Sequence, residues 1–353
     1  MSPSSPRRRR SAGRPAQKRA QPAPGPLGGL LAILAELVRA GALLLAAACA
    51  LLALAAQGGR FSDRLDAITH VTPILLTGAV LAVAAWLVAG RRGAATPVMA
   101  AVAAVASLAL MAPELLTRQQ RTLAPAVEGS IKVVQFNVWG RNRDAEATAR
   151  WLSAQKADVI VLEEAFARSG GVVRAIRADY PYASTCDDPY PCSTVILSRR
   201  RPIAEGGLEG PHRARLKGAW ATYRTADGPF TVVGVHYTWP WPAGPQQQQT
   251  LRLAKAIEPF PKDRLIVAGD FNSTPWSFSL KRQDALFGLE RRTRALFSWP
   301  AGVFSRLGLA LPFPVLPIDH IYAGRGWATA AVSRGPKLGS DHYPVVVELT
   351  PRR

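Results

Sequence analysis

The chain has 353 residues, 48% of them hydrophobic, with 44 Lys and Arg against 24 Asp and Glu, a formal charge of +20. That length allows one large domain or two medium ones. The uneven composition excludes one uniform soluble domain: Leu30 to Ala112 is dominated by Ala, Leu and Val, whereas from Ile131 onward the chain has the make-up of a soluble α/β domain. The basic balance favours anionic partners such as nucleic acid, anionic lipid or phosphorylated substrates, with a solvated basic surface as the alternative.

Residues 1–29 hold seven basic side chains and no acid, and the stretch to Pro26 is rich in Pro, Ser and Arg. It is expected to be a disordered basic tail. Three apolar runs follow within residues 30–112: about Leu37–Ala56, Val71–Ala89 and Ala94–Ala112. Each approaches the roughly 20 residues that cross a hydrocarbon core as a helix, so three transmembrane helices are predicted in place of a buried hairpin. Glu36 and Arg39 stand one turn apart at the start of the first run. The tail and the Arg91-Arg92 loop carry uncompensated positive charge, whereas Gln57–His70 balances Arg60 and Arg64 with Asp63 and Asp66. Lys/Arg bias therefore predicts a cytoplasmic N-terminus and an extracytoplasmic domain after the third helix. A signal-peptide reading of the first run, with Ala53, Ala55 and Ala56 near its end, leads to the same side, although the basic region before it is long for that. Residues 113–130 are expected to be a linker.

The soluble part, residues 131–353, carries 30 Lys and Arg against 19 Asp and Glu, a net of +11. Predicted strands are Ile131–Asn137, Asp158–Leu162, Ser193–Ser198, Trp220–Thr225, Phe230–His236, Arg264–Ala268, Ile318–Tyr322, Ala328–Ser333 and Pro344–Leu349. Predicted helices are Asp144–Lys156, with Asp144 as N-cap, and Pro245–Glu258. Nine or ten strands in mixed order imply two packed sheets with helices outside. Cys186 and Cys192 flank a short turn-like segment and would pair in an oxidising compartment, whereas Cys49 lies in an apolar run.

Polar residues recur where these strands end: Asn137 in Gln135-Phe136-Asn137-Val138-Trp139, Glu164 after Leu162-Glu163, His236 after Val235, then Gly269-Asp270-Phe271-Asn272, Ile318-Asp319-His320 and Ser340-Asp341-His342-Tyr343-Pro344. Carboxylates, amides and imidazoles gathered at one sheet edge suggest a shared cleft. The ordered set, spanning about Ile131–Leu349, resembles the endonuclease/exonuclease/phosphatase family, which includes DNase I-like nucleases, apurinic endonucleases, inositol-phosphate phosphatases and neutral sphingomyelinases. The resemblance implies a four-layer α/β sandwich with two central mixed β-sheets and in-line attack of water on phosphorus. It implies a hard divalent cation, Mg²⁺ with Mn²⁺ as the alternative, held by Glu164 with Asn137 and Asp341. It assigns Asp270 and Asn272 to orienting water and phosphate, and His342, partnered by Asp319, to a place over the phosphate. His236 becomes a second phosphate contact or an acid for the leaving group. Whether Asp270 or His342 takes the water's proton stays open. Glu163 departs from the Gln that many members carry there, and is expected to add negative charge near the cleft. His70 and His212 are treated as incidental.

Two features bear on the substrate. The helices hold the domain beside a bilayer, and apolar residues crowd the loops near the site: Tyr237, Trp239, Trp241 and Leu307–Leu316. Such loops suit a lipid tail or membrane interface, with packing against the domain core as the alternative. The layout also resembles actinobacterial membrane proteins associated with glycopeptide-antibiotic resistance, which implies a lipid-linked cell-wall phosphate such as a polyprenyl pyrophosphate. An extracytoplasmic nuclease is the alternative enzyme, and a catalytically dead envelope-binding protein a third class. No protein partner is predicted.

Overall fold

The computed structural model describes residues 25–119, 123–166, 169–186, 193–208, 216–304 and 309–352. Four helices come first: α1 (Pro26–Gln57), α2 (Asp63–Thr69), α3 (Thr72–Val88) and α4 (Ala95–Gln119). By length and composition α1 and α4 suffice to cross a membrane, and α2 with α3 make a third span only if the pair, bent by 56°, is taken as one. The break has a local cause: Pro73, in the first turn of α3, lacks an N–H and blocks the turn before it, so the helix begun at Asp63 cannot run through.

The packing of these helices is inverted relative to a soluble bundle. Ala46, Ala50, Ala79, Ala82, Ala100 and Ala103 fill the centre around Cys49, while Leu44, Leu51, Val80 and Leu81 point outward. Small residues let helices approach closely where apolar surroundings supply no drive to bury the large ones. At the end nearest the tail, Arg39 pairs with Glu36 and donates to the Ala89 carbonyl, and Arg92 reaches Glu36 at 3.4 Å.

The expected linker starts as helix, because α4 continues through Pro113. Glu114 on that extension is buried against the soluble domain, accepting from Arg291 at 2.7 and 2.9 Å and from the Ala295 N–H at 2.7 Å.

The soluble domain comprises β1 (Ile131–Asn137), α5 (Ala145–Ala154), β2 (Val159–Glu163), α6 (Gly170–Ala175), β3 (Tyr182–Thr185), β4 (Val195–Ser198), β5 (Ala204–Gly207), β6 (Lys217–Thr225), β7 (Gly228–His236), α7 (Pro245–Ala256), β8 (Leu265–Asp270), α8 (Phe278–Phe287), β9 (Glu290–Arg291), β10 (Val303–Phe304), β11 (Leu309–Ala310), β12 (Asp319–Ala323), β13 (Trp327–Arg334) and β14 (Val345–Pro351). One sheet runs β13-β14-β1-β2-β4-β3, the other β5-β6-β7-β8-β12-β9. Each is mixed, with one central parallel pair, β1–β2 and β7–β8. Asp144 caps α5 as expected, accepting from the Ala147 N–H at 2.9 Å. The strands the sequence missed are short, such as β5, which reads Ala-Glu-Gly-Gly and offers no alternation to detect.

Period-two alternation explains the layers. Val133, Val159, Val161, Ile266, Ala268 and Ile321 face the opposing sheet. Val134, Phe136, Ile160 and Leu162 face outward under α5 and α6, and Leu265 and Val267 pack with Leu253 of α7 and Leu280 of α8. The result is the four-layer sandwich the resemblance implied.

Candidate active site

The same alternation builds the site. Along the inward face of β1 the series is Ile131, Val133, Gln135, Asn137; along β2 it is Val159, Val161, Glu163; along β8, Ile266, Ala268, Asp270. In each strand the apolar positions fill the inter-sheet core and the last positions turn polar at one end. Register aligns these ends: Asn137 lies opposite Glu163, His236 opposite Asp270, and Asp319 opposite Asp270. Gly269 is required by the crossing, since a Cβ there would fall 2.0 Å from the Val235 carbonyl oxygen.

Asp270 is the hub. Its Oδ2 accepts from Asn137 Nδ2 at 3.0 Å and Asn272 Nδ2 at 3.3 Å, and its Oδ1 accepts from the Asn272 N–H at 2.8 Å. The Nε2 atoms of His236 and His342 each lie 3.7 Å from Oδ2. Burial raises the Asp270 carboxyl to about 7, aided by Asp319 and opposed by His342 and Asn137. Asp319, fully buried, is 2.9 Å from His342 Nδ1 through Oδ2 and 2.9 Å from Gln135 Nε2 through Oδ1. Burial disfavours the His342 imidazolium, but Asp319 and Asp270 outweigh it and lift His342 well above its ordinary range. Burial holds His236 down to about 4, so its imidazole is neutral at pH 7.

Glu164 follows the end of β2 with φ +52°, and Trp139 and Asn272 share this left-handed backbone at φ +56° and +46°. Side chains rarely adopt it without cost, and it clusters at functional sites. The turn brings Glu164 Oε2 to the Gly140 N–H at 3.0 Å and Oε1 to Asn137 Nδ2 at 3.2 Å. Burial opposes its charge, but the Gly140 N–H, His236 and Asn137 prevail and hold the carboxyl below its ordinary value. Asp341 is raised by burial, with Glu164 as a like charge nearby, and its Oδ1 is buried without a hydrogen-bond partner.

An ionised carboxylate beside an unsatisfied carboxylate oxygen fits a hard divalent cation. Asp270, Asp319 and His342 also offer ligand atoms within 4.8 Å of one another. Within that trio Asp319 is tied to His342 and Gln135 by hydrogen bonds of 2.9 Å each. Asn137 turns its amide nitrogen to both carboxylates and its Oδ1 to the Trp139 N–H at 3.0 Å, which makes it a brace between Glu164 and Asp270.

All eight residues singled out from the sequence (Asn137, Glu164, His236, Asp270, Asn272, Asp319, Asp341 and His342) thus gather at one end of the paired sheets. Sequence reasoning missed Gln135, which bridges the sheets by donating to Asp319 and to Glu163 Oε2, the latter at 2.8 Å. Its position two before Asn137 on the same strand face was the available signal. Glu163 needs correction. It is fully buried, and burial together with Asp319 and Asp270 raises its carboxyl well above the ordinary value, which works against the added negative charge expected there. His320 points away, with Nε2 3.0 Å from the Ser273 carbonyl. His70 is not incidental: its Nδ1 lies 3.2 Å from the Thr274 N–H and 3.0 Å from Thr274 Oγ1. His212 lies outside the described residues. Cys186 is disulfide-bonded, and Cys192 is outside the described residues.

A family model described as Endonuclease/Exonuclease/phosphatase family matches residues 134–342. Solved structures similar to the chain include a sphingomyelinase C from Streptomyces griseocarneus, at 20% identity, covering 62% of this chain and 99% of that one with a TM-score of 0.49. A beta toxin from Staphylococcus aureus is 15% identical, covering 63% and 100% with a TM-score of 0.50. TDP2 from D. rerio, solved with a single-strand DNA product, is 16% identical, covering 63% and 100% with a TM-score of 0.49. At these identities the likeness says nothing of activity or substrate. Among curated proteins no relative matches the chain.

Proposed function

We propose that this chain, which belongs to the Endonuclease/Exonuclease/phosphatase family and is a metal-dependent phosphoric ester hydrolase, cleaves a lipid-linked envelope phosphate, a polyprenyl pyrophosphate, beside the membrane that holds it. The observation that carries this reading is the seating of the catalytic domain on apolar helices. Trp276 packs in one buried cluster with Ala56 of α1 and Leu110 and Met111 of α4. Leu316 joins that cluster and pairs with Trp299, whose ring meets Trp239 edge-on at 5.9 Å. Trp239, Trp241, Phe313 and, beside α2, Phe61 remain exposed, as rings that suit a membrane interface. Arg143 and Lys337 line a pocket with Trp139 and Asp341, which supports recognition of a second phosphate.

In this reading water attacks phosphorus in line and the bond to the leaving oxygen breaks. Asp270 accepts the water's proton, a role supported by its raised carboxyl and by the commitment of His342 as an imidazolium on Asp319. His342 then neutralises charge developing on the phosphoryl oxygens. Neutral His236 supplies a contact through Nε2–H rather than an acid, and a phosphate leaving group requires little protonation. Glu164 and Asp341 would hold the divalent cation, Mg²⁺ or Mn²⁺, which when bound offsets the phosphate charge that repels a nucleophile.

The proposed topology is N-terminus in, catalytic domain out. Both the segment after α1 and the end of α4 touch the domain, so they share a side, with Arg39 and Arg92 at the opposite end. Disulfide-bonded Cys186 supports an oxidising compartment. The layout likewise supports kinship with the membrane proteins associated with glycopeptide resistance. The test is phosphate release by detergent-purified protein with Mg²⁺ from long-chain and short-chain polyprenyl pyrophosphates, alongside plasmid nicking. At about 0.8 kcal/mol per buried methylene, the long chain should win by orders of magnitude in kcat/KM, and Trp239→Ala with Trp241→Ala should erase that advantage. Equal rates on both chains with efficient nicking that falls steeply with salt would favour a nuclease, consistent with the +11 charge of the domain.

A further inference from the structure

The segment between the first two apolar helices is folded into the catalytic machinery. Asp66, on α2, is buried. Its Oδ1 accepts from the Phe278 N–H and its Oδ2 from the Ser279 N–H, both at 2.7 Å, so a carboxylate from the membrane region completes the start of α8 in addition to its own cap, Ser277. His70, buried at the end of the same segment, receives the Thr274 N–H and faces the Thr274 hydroxyl through Nδ1. Thr274 is two residues beyond Asn272 and four beyond Asp270, on the loop that leaves β8. The loop is pinned at Ser273 by His320 and at Thr274 by the Ser277 N–H, 3.0 Å from its carbonyl. It carries Asn272 in left-handed backbone at φ +46°, a geometry the surroundings must enforce.

Buried acids at the edge of apolar helices are costly unless fully paired. Here both Asp66 oxygens are taken by backbone donors of the catalytic domain. General docking is served elsewhere, by Glu114 with Arg291 and by the half-exposed pair Asp63–Arg282 at 2.8 Å. Among the described residues, His70 and Asp66 are the membrane-segment side chains that hydrogen-bond the stretch from Asn272 into α8, while Trp276 within it packs against Ala56, Leu110 and Met111.

We infer that His70, supported by Asp66, is a positioning residue for hydrolysis: it holds the Asp270–Thr274 loop from the membrane side, so that the orientation of Asn272 and Asp270 depends on the chain's own membrane segment. This rests on the catalytic assignment of Asp270 and Asn272 given above. It makes the anchor part of the active-site scaffold, and turnover a property of the docked protein.

The test uses full-length protein in detergent with Mg²⁺ and bis(p-nitrophenyl) phosphate, a soluble diester that needs no lipid contact. Asn in place of His70 puts an amide oxygen close to the Nδ1 position; Gln puts it near Nε2. His70→Gln should lower kcat by at least about tenfold with KM within about twofold, because small misplacements of catalytic groups cost one to two orders of magnitude. His70→Asn should restore kcat to within about threefold, and Asp63→Ala should stay near wild type. Equal kcat for the Gln and Asn variants would overturn the inference, as would an equal loss in Asp63→Ala, which would make the effect one of docking in general. Both His70 variants keep a polar side chain of similar bulk, and matching unfolding temperatures establish that they fold. Asp270→Ala is run alongside. If it retains turnover, the catalytic assignment itself fails; if it is dead while His70→Gln is unaffected, only the role of His70 fails.

Discussion

Glu114 offers a quantitative check on the seating of the domain. Its side chain is 3% exposed and meets Arg291, 1% exposed, with two hydrogen bonds of 2.7 and 2.9 Å. It also accepts from the Ala295 N–H at 2.7 Å and from Arg294 at 3.1 Å. Glu114→Ala would strand these donors. Breaking a buried ion pair from one side costs about 3–5 kcal/mol. The lower end applies, because Arg291 keeps Asp284 at 3.2 Å and Arg294, 29% exposed, can turn to water. With about 3 kcal/mol lost and roughly 2–4 °C per kcal/mol for a domain of this size, the expected drop in Tm is roughly 10 °C. The assay is thermal unfolding of the detergent-solubilised protein, with Glu128→Ala, at an exposed position, as the control that should shift by no more than about 0.5 kcal/mol. A Glu114→Ala protein that melts with the control would refute the docked arrangement and restore the picture of a domain on a free linker.

Exhaustive chelation should abolish hydrolysis, and Mg²⁺ or Mn²⁺ should restore it; undiminished turnover of the chelated, dialysed protein would remove Glu164 and Asp341 from any metal role. Glu164→Ala, Asp270→Ala and His342→Ala should each lower kcat by at least about 10²-fold with the far-ultraviolet spectrum unchanged, and near-normal turnover in any one would displace that residue from the reaction. His320, held neutral by burial at about 4, should make the fold acid-labile. Between about pH 6.5 and pH 4 the unfolded chain takes up a proton that the folded protein refuses, so stability falls as pH falls, by about 3 kcal/mol over that window. His236, also held at about 4, adds to this loss and Asp270, raised to about 7, opposes it, so denaturant titrations at the two pH values should show a loss about 3 kcal/mol larger in wild type than in His320→Gln; identical pH dependence would mean His320 is not buried as described.

The catalytic end of the domain was legible in the sequence because a strand turns each side chain by a fixed half-turn. Val133, Gln135 and Asn137 had to share a face, as did Ala268 and Asp270, and apolar runs that end in Asn, Asp, Glu or His mark where a core opens to chemistry. The candidate membrane spans were legible as composition, since runs of Ala, Leu and Val need no partner to declare themselves. Tertiary structure decided the rest. Whether Glu163 is a charge or a neutral acid depends on the burial and the two carboxylates the opposing sheet brings to it. Whether 113–130 is a tether depends on Arg291, Arg294 and Ala295, which meet Glu114 from about 180 residues away. Whether His70 matters depends on Thr274, 204 residues distant. Such contacts carry no local periodicity: each is one hydrogen bond or ion pair between residues whose neighbours in the chain give no sign of it, and only the packing of the helices onto the second sheet brings them together.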